Sequence, residues 1–181
     1  ITAAALAMTA CNRTNPFLAE WNTPYGIPPF DQIQFADYVP AVKAGIEQQQ
    51  AEIDAIIANQ AAPDFDNTIA ALELSGDILS KVTGVLFNVS ETENCPELEA
   101  IVEEITPLTT AHEDNIWMNR DLYLRVKAVA DADQSALSAE QKMVLKETLQ
   151  KFERNGIALP EETQARLRET NPEMSSKINK I

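Results

Sequence analysis

Apolar residues recur along most of this chain at steps of three, four or seven, the spacing that gathers them on one face of an α-helix. The first stripe is Val39, Val42, Ile46, Ile53 and Ile56. Asp37 stands where a helix cap is expected, Pro40 reads as a first-turn proline, and Pro63 enforces the break after Asn59. A second stripe, Ile69, Leu72, Leu79, Val82, Leu86 and Val89, follows the cap signal Asp66-Asn67-Thr68. Gly76 interrupts it, which predicts a close helix crossing there. A third helix is expected from Pro96, with Leu98, Ile101, Val102, Ile105 and Leu108 on one side and a kink or division at Pro107. Asn119 caps a short helix bearing Leu122, Val126 and Val129. Ser138 and Gln141 have capping-box spacing ahead of Met143, Leu145, Leu149 and Phe152, and Gly156 is placed to end that helix. The last helix begins at Pro160-Glu161-Glu162 and carries Leu167; Pro172 should kink or break it before Met174, Ile178 and Ile181. The stripe is still running at Ile181, which suggests a longer parent. No strand or hairpin pattern appears, so the expected class is all-α, about six helices in an irregular bundle over residues 37–181.

Residues 12–36 read differently. Pro16, Pro24, Pro28 and Pro29 alternate with Phe17, Trp21, Tyr25, Phe30 and Phe35. Proline fixes φ and removes amide donors, so this arm is expected to be extended and irregular. Its aromatics predict that it lies across the helices and buries them.

Composition narrows the function classes. The 181 residues carry 28 acidic and 14 basic side chains, a formal net charge of −14. Such a surface repels phosphate backbones, which argues against nucleic-acid binding, and its default reading is solubility. Five glycines and 45% hydrophobic residues suit a helical globular chain. No stretch reaches the roughly 20 apolar residues of a membrane span.

Candidate chemistry is sparse. Catalytic zinc needs three protein ligands and an open position. One histidine, His112, and two separated cysteines, Cys11 and Cys95, are poor material for it. His112 is in step with Leu108 and Ile105, which reads as a hydrogen-bonded packing residue. Cys95 with His112 is a remote nucleophile pair, since nothing in the sequence orients the two. Glu103-Glu104 and Glu161-Glu162 are adjacent carboxylates that diverge on a helix and read as solvated faces or helix-start acids. Gln48-Gln49-Gln50 reads as an exposed face. No phosphate loop, H-E-x-x-H pair or nucleophile elbow occurs, so no catalytic or metal residue is assigned.

The first eleven residues are almost wholly apolar and end on Thr9-Ala10-Cys11. They look like the end of a bacterial lipoprotein signal, in which small residues precede an acylated cysteine. Met8 replaces the usual leucine. Cys11 is therefore the expected lipidation site and the sole expected link to a membrane, with export to the periplasm or a membrane-anchored lipoprotein as the expected location.

Several segments carry a wider resemblance. They are Asn15-Pro-Phe-Leu18, residues 23–33 from Thr23 to Ile33, residues 38–41 from Tyr38 to Ala41, residues 51–56 from Ala51 to Ile56, residues 63–76 from Pro63 to Gly76, residues 82–88 from Val82 to Asn88, residues 112–119 from His112 to Asn119, and residues 122–127 from Leu122 to Lys127. In that order they resemble the N-terminal part of the thimet-oligopeptidase family of zinc metallopeptidases, most nearly its peptidyl-dipeptidase branch. The Asp66-Asn-Thr-Ile-x-x-Leu-Glu-x-Ser-Gly76 run is the specific one. The resemblance implies a mostly helical enzyme of two halves flanking a channel. Zinc and its H-E-x-x-H histidines belong to the C-terminal half, and short peptides lose C-terminal dipeptides. It further implies that this chain is a channel wall whose partner is the catalytic half of the same polypeptide. None of the implied catalytic residues maps onto this sequence. Asp37 stands where the family commonly has a histidine, and residues 175–181 drift from its usual helix. A stand-alone helical lipoprotein that binds peptides or a protein partner without catalysis is the alternative.

Overall fold

The computed structural model describes residues 13–93 and 95–178, so the apolar segment with Cys11, and Ile181, lie outside the described residues. Helix α1 spans Phe35–Ala58; a π-helical turn, Phe65–Ala70, runs into the short α2, Ala71–Glu73. Then follow α3 Asp77–Thr92, α4 Pro96–Trp117, α5 Arg120–Asp131, α6 Ala139–Arg154 and α7 Glu161–Ile178. Six helices of twelve residues or more, with no strand among the described residues, make the chain all-α.

The helices enclose two apolar cores. One gathers Phe17, Tyr38, Val42, Val82, Leu86, Leu98 and Ile105. The other gathers Ile53, Ile69, Ile116, Leu122, Val126 and Phe152. Helices α1 and α4 are long enough to serve both, their N-terminal halves in the first core and their C-terminal halves in the second. The α1 and α3 backbones approach closely at Gly45, where a Cβ would lie 2.8 Å from the Leu79 amide nitrogen. Gly45 is therefore the residue that the close crossing requires, although the sequence pattern pointed to Gly76.

The arm is a clasp. Arg13 donates to the Gln32 carbonyl at 2.6 Å and pairs with Asp37, while Asn15 Nδ2 donates to the Asp37 carbonyl at 2.8 Å. Asn15 also caps a 3₁₀ turn, Pro16–Leu18, by accepting from the Phe17 amide at 3.0 Å. That turn drives Phe17 into the core, 5.1 Å from the Tyr38 ring and 6.3 Å from Trp21. Burial of one such ring contributes about 2–3 kcal/mol. Other aromatics of the arm depart from expectation: Tyr25, Phe30 and Phe35 are exposed. A second 3₁₀ turn, Pro24–Gly26, turns Tyr25 outward, away from any core.

Several boundaries shift for local reasons. Helix α1 starts at Phe35, and Asp37 is its third residue, where its carboxylate accepts from the Gln34 amide at 2.7 Å. Pro40 thus lies in the second turn, at an exposed position that tolerates one lost amide. Asp64, and not the expected Asp66-Asn67-Thr68 run, is the cap of the next element. It accepts from the Asn67 amide at 2.7 Å, and Asn67 reciprocates at 3.2 Å. Gly76 is not inside a helix: its φ of 77° is left-handed and separates α2 from α3. Neither Pro107 nor Pro172 divides its helix. Asn119 and Ser138 cap α5 and α6 as expected. Gly156, at φ 86°, ends α6, where Ile157 donates to the Phe152 carbonyl and Gly156 to that of Glu153, the six-to-one and five-to-two bonds of a left-handed stop. Met143, expected on the α6 stripe, is exposed.

The two helical glycines generate opposite predictions. Gly84 of α3 has open space around it, so Gly84→Ala should stabilise by about 0.5–1 kcal/mol through the unfolded chain. Gly45→Ala should instead cost about 1–3 kcal/mol, because backbone cannot yield as a side chain can. Urea unfolding of the pair checks both signs.

Candidate functional site

Between the two cores runs a seam of polar side chains. Ser75 Oγ donates to the Leu72 carbonyl at 2.7 Å, which spends its single proton. It therefore accepts from Gln49 Nε2 at 3.1 Å, and this turns Gln49 Oε1 toward His112. His112 Nε2, 2.9 Å away, must then carry a proton and donate. His112 is 3% exposed, and burial pushes its pKa below the ordinary imidazole value. It is a neutral donor that fastens α4 to α1. Beside it, Glu52 of α1 accepts from the Gly76 amide at 2.8 Å, and a Cβ on Gly76 would collide with the Gln49 amide group at 2.5 Å. The expected packing role of His112 holds. The expectation for Gln49 does not: it is half-buried and bonded on both ends, while Gln48 alone of the three neighbours is fully on the surface.

A cleft of about 470 Å³ opens along this seam between α3, α4 and α6. Gln49, Ser75 and Ile116 line its floor, and Glu73, Glu113 and Glu147 line its exposed part. Lys151 Nζ sits 4.0 Å from the centre of the Trp117 ring, a cation–π contact that ties α6 to α4 at the cleft wall. The lining offers carboxylates, a lysine and hydroxyls to an extended polar ligand.

The other candidates are scattered. Cys95 precedes the first residue of α4 and His112 lies in its last two turns, about 25 Å along the axis at 1.5 Å per residue. Glu104 makes a surface pair with Lys43 at 3.2 Å, and Glu161 and Glu162 are exposed in the first turn of α7. Among the described residues no three His, Cys, Asp or Glu side chains lie together as a metal would require. With His112 committed to Gln49, the residues do not fit zinc. No helix among the described residues is long and apolar enough to cross a membrane.

Sequence reasoning missed two polar fasteners. Asp114, 5% exposed, accepts from Asn171 Nδ2 of α7 with both oxygens at 3.0 Å. Its burial raises the carboxyl pKa, opposed by the Asn171 bond and by Arg168. Arg125 of α5 donates to the Asn59 carbonyl at 2.7 Å and to Asn67 Oδ1 at 3.1 Å, which ties the end of α1 to the π-helical turn. The Arg125 position was visible inside the Leu122–Lys127 run, but nothing in a single sequence pairs it with Asn67.

Two predictions follow from the buried groups. His112→Ala strands the Gln49 carbonyl oxygen, so about 1–3 kcal/mol of stability should be lost at pH 7. Because the folded pKa of His112 lies below the unfolded value of about 6.5, protons favour the unfolded chain, and the wild-type advantage should shrink as pH falls below 6.5. Asp114 has the opposite sign. Its folded pKa lies above the unfolded one, so its burial penalty is complete above the folded pKa and fades as pH falls toward about 4. Denaturant midpoints of wild type, His112→Ala and Asp114→Asn measured from pH 7 to pH 4 separate the two slopes.

Residues 42–164 match the family described as Neurolysin/Thimet oligopeptidase, N-terminal domain. The chain is 36% identical over 169 residues to a dipeptidyl carboxypeptidase of Salmonella typhimurium, covering 93% of this chain and 25% of that protein. It is 36% identical over 163 residues to dipeptidyl carboxypeptidase of Escherichia coli, covering 90% and 24%. It is also 29% identical over 163 residues to oligopeptidase A of Escherichia coli, covering 90% and 23%. It thus spans about a quarter of the length of the curated relatives it matches. Within the Asp66–Gly76 run, Asn67 receives Arg125, and Ser75 and the Gly76 amide bond Gln49 and Glu52, so the run supplies polar fastenings of the fold. By its match over residues 42–164 and these relatives, the chain belongs to the thimet oligopeptidase family of zinc metallopeptidases, as its N-terminal domain.

Proposed function

We propose that this domain is one wall of a peptide channel in a longer zinc peptidase that removes C-terminal dipeptides from short peptides. The observation that carries the reading is the match of nine-tenths of the chain to about a quarter of a dipeptidyl carboxypeptidase. The described residues hold no donor set for zinc, so the metal and the water it activates belong to residues outside this quarter. The contribution of this domain is shape and charge. Its cleft presents Glu73, Glu113 and Glu147 beside Trp117 and Phe87, surfaces that suit the amide groups, basic side chains and free amine of an extended peptide. An acidic wall also draws cationic peptide ends inward.

Expression of the natural reading frame through and beyond Ile181 tests the reading. The longer polypeptide should release dipeptides from the C-termini of short peptides, lose this with a chelator and regain it with zinc, whereas the 181-residue chain should leave the same peptides intact. A stop codon directly after Ile181, or a longer product with no peptidase activity, would sink the proposal in favour of a stand-alone binding module. Export rests on the Thr9-Ala10-Cys11 ending. In a bacterial host carrying the complete signal, mass spectrometry of the membrane fraction should find acyl chains on Cys11, and an intact thiol in a soluble product would count against anchoring.

A further inference from the structure

Tyr25 combines two costs that a folded chain ordinarily avoids. Its φ of 61° places a bulky side chain in the left-handed region, an outlier for any residue but glycine, asparagine or aspartate. Its side chain is also 101% exposed, so no packing within the described residues repays the strain. The conformation is imposed and not loose. Thr23 Oγ1 donates to the Ile27 carbonyl, the Gly26 amide donates to the Thr23 carbonyl at 3.1 Å, and Gly26 follows at φ 66°. Pro24, Pro28 and Pro29 stiffen both flanks. Beyond this turn the arm keeps presenting apolar groups outward: Ile27 is 52% exposed, and Phe30 and Phe35 border a concavity of about 400 Å³ with Ile33 and Val89. The inner side of the same arm, Pro16, Phe17 and Pro29, is buried. A rigid, strained turn that holds an aromatic ring in water is the form of an interface anchor.

We propose that the Tyr25 turn, with Ile27, Phe30 and Phe35, is the anchor by which this domain docks against the portion of the same polypeptide that follows α7. This rests on the reading of the chain as part of a longer peptidase. The relatives supply the argument for the occupant. The match covers 93% of this chain, so it includes most of the arm, while three-quarters of the relative's length has no counterpart here. The surface facing the anchor is apolar and concave enough to take a phenol ring, with a hydrogen-bond acceptor for its hydroxyl.

Nitration by tetranitromethane, followed by peptide mass spectrometry, reads the accessibility of Tyr25, with the buried Tyr38 as the internal reference. Tyr25 should react freely in the 181-residue chain and at least about tenfold more slowly in the longer polypeptide, the protection expected of a docked ring. Tyr25→Asn supplies the second arm, because asparagine tolerates a left-handed φ. It should leave the thermal midpoint of the 181-residue chain unchanged or raised, and should lower that of the longer polypeptide. Equal nitration in both, or a midpoint lowered equally in both, overturns the anchor. Self-association of the 181-residue chain that by itself protects Tyr25 also overturns it, by assigning the surface to a second copy. Dipeptide release is recorded on the same longer sample. Activity with an accessible Tyr25 rejects the anchor alone, and a protected Tyr25 without activity rejects the peptidase reading alone.

Discussion

A single glutamine holds the two halves of this domain in register. Gln49 sits midway along α1, between the part that packs on Tyr38 and Val42 and the part that packs on Ile53 and Ile56. Its amide group spends the donor on Ser75, which follows α2, and the acceptor on His112 of α4. Two separate oily cores have no directional reason to keep one mutual arrangement. Hydrogen bonds have that reason, since a shift of an ångström leaves a buried donor or acceptor unpaired at a cost of about 1–3 kcal/mol. Specific orientation therefore comes from the seam, and bulk stability from the cores. The positive φ of Gly76 is part of the same constraint, because a side chain there would displace the Gln49 amide.

That arrangement draws on the segment from Asp64 to Gly76. Asp64 and Asn67 close a reciprocal cap, Asn67 receives Arg125 from α5, Ile69 and Leu72 enter a core, and Ser75 and Gly76 meet Gln49 and Glu52. Asn67, Ser75 and the Gly76 amide each have a partner on another element, whereas Asp64 and Thr68 bond within the run. These contacts fix the walls of the cleft beside the run.

Periodicity made the helices legible: Leu122, Val126 and Val129 are all buried where three- and four-residue steps put them. Local capping was legible where cap and partner are three residues apart, as at Ser138 and Gln141. What failed was whatever depends on a distant partner. Gln49 looked like surface because it stands in a run of three glutamines, and Asp114 looked unremarkable because Asn171 is 57 residues away. Prolines misled for a related reason. Pro107 and Pro172 each remove one amide, but neighbouring turns of α4 and α7 keep packing against one another, so the helices continue. The candidate site was not legible, since a cleft built from three helices has no linear signature.

Helix α7 has a mechanical consequence. Across Glu161–Lys177 no residue is fully buried, yet the helix lies along α4. It is held by Gln164 on the Ile157 carbonyl, Arg168 on the Met118 carbonyl and Asn171 on Asp114. Greasy helix pairs can slip along one another, because one methyl group substitutes for the next. Three polar contacts spaced along a helix allow one setting only, like teeth of a key in a lock. The azimuth of α7 against α4 is thus indexed to Asp114, so a change at that buried carboxylate resets how the two helices are turned against one another as well as loosening their contact.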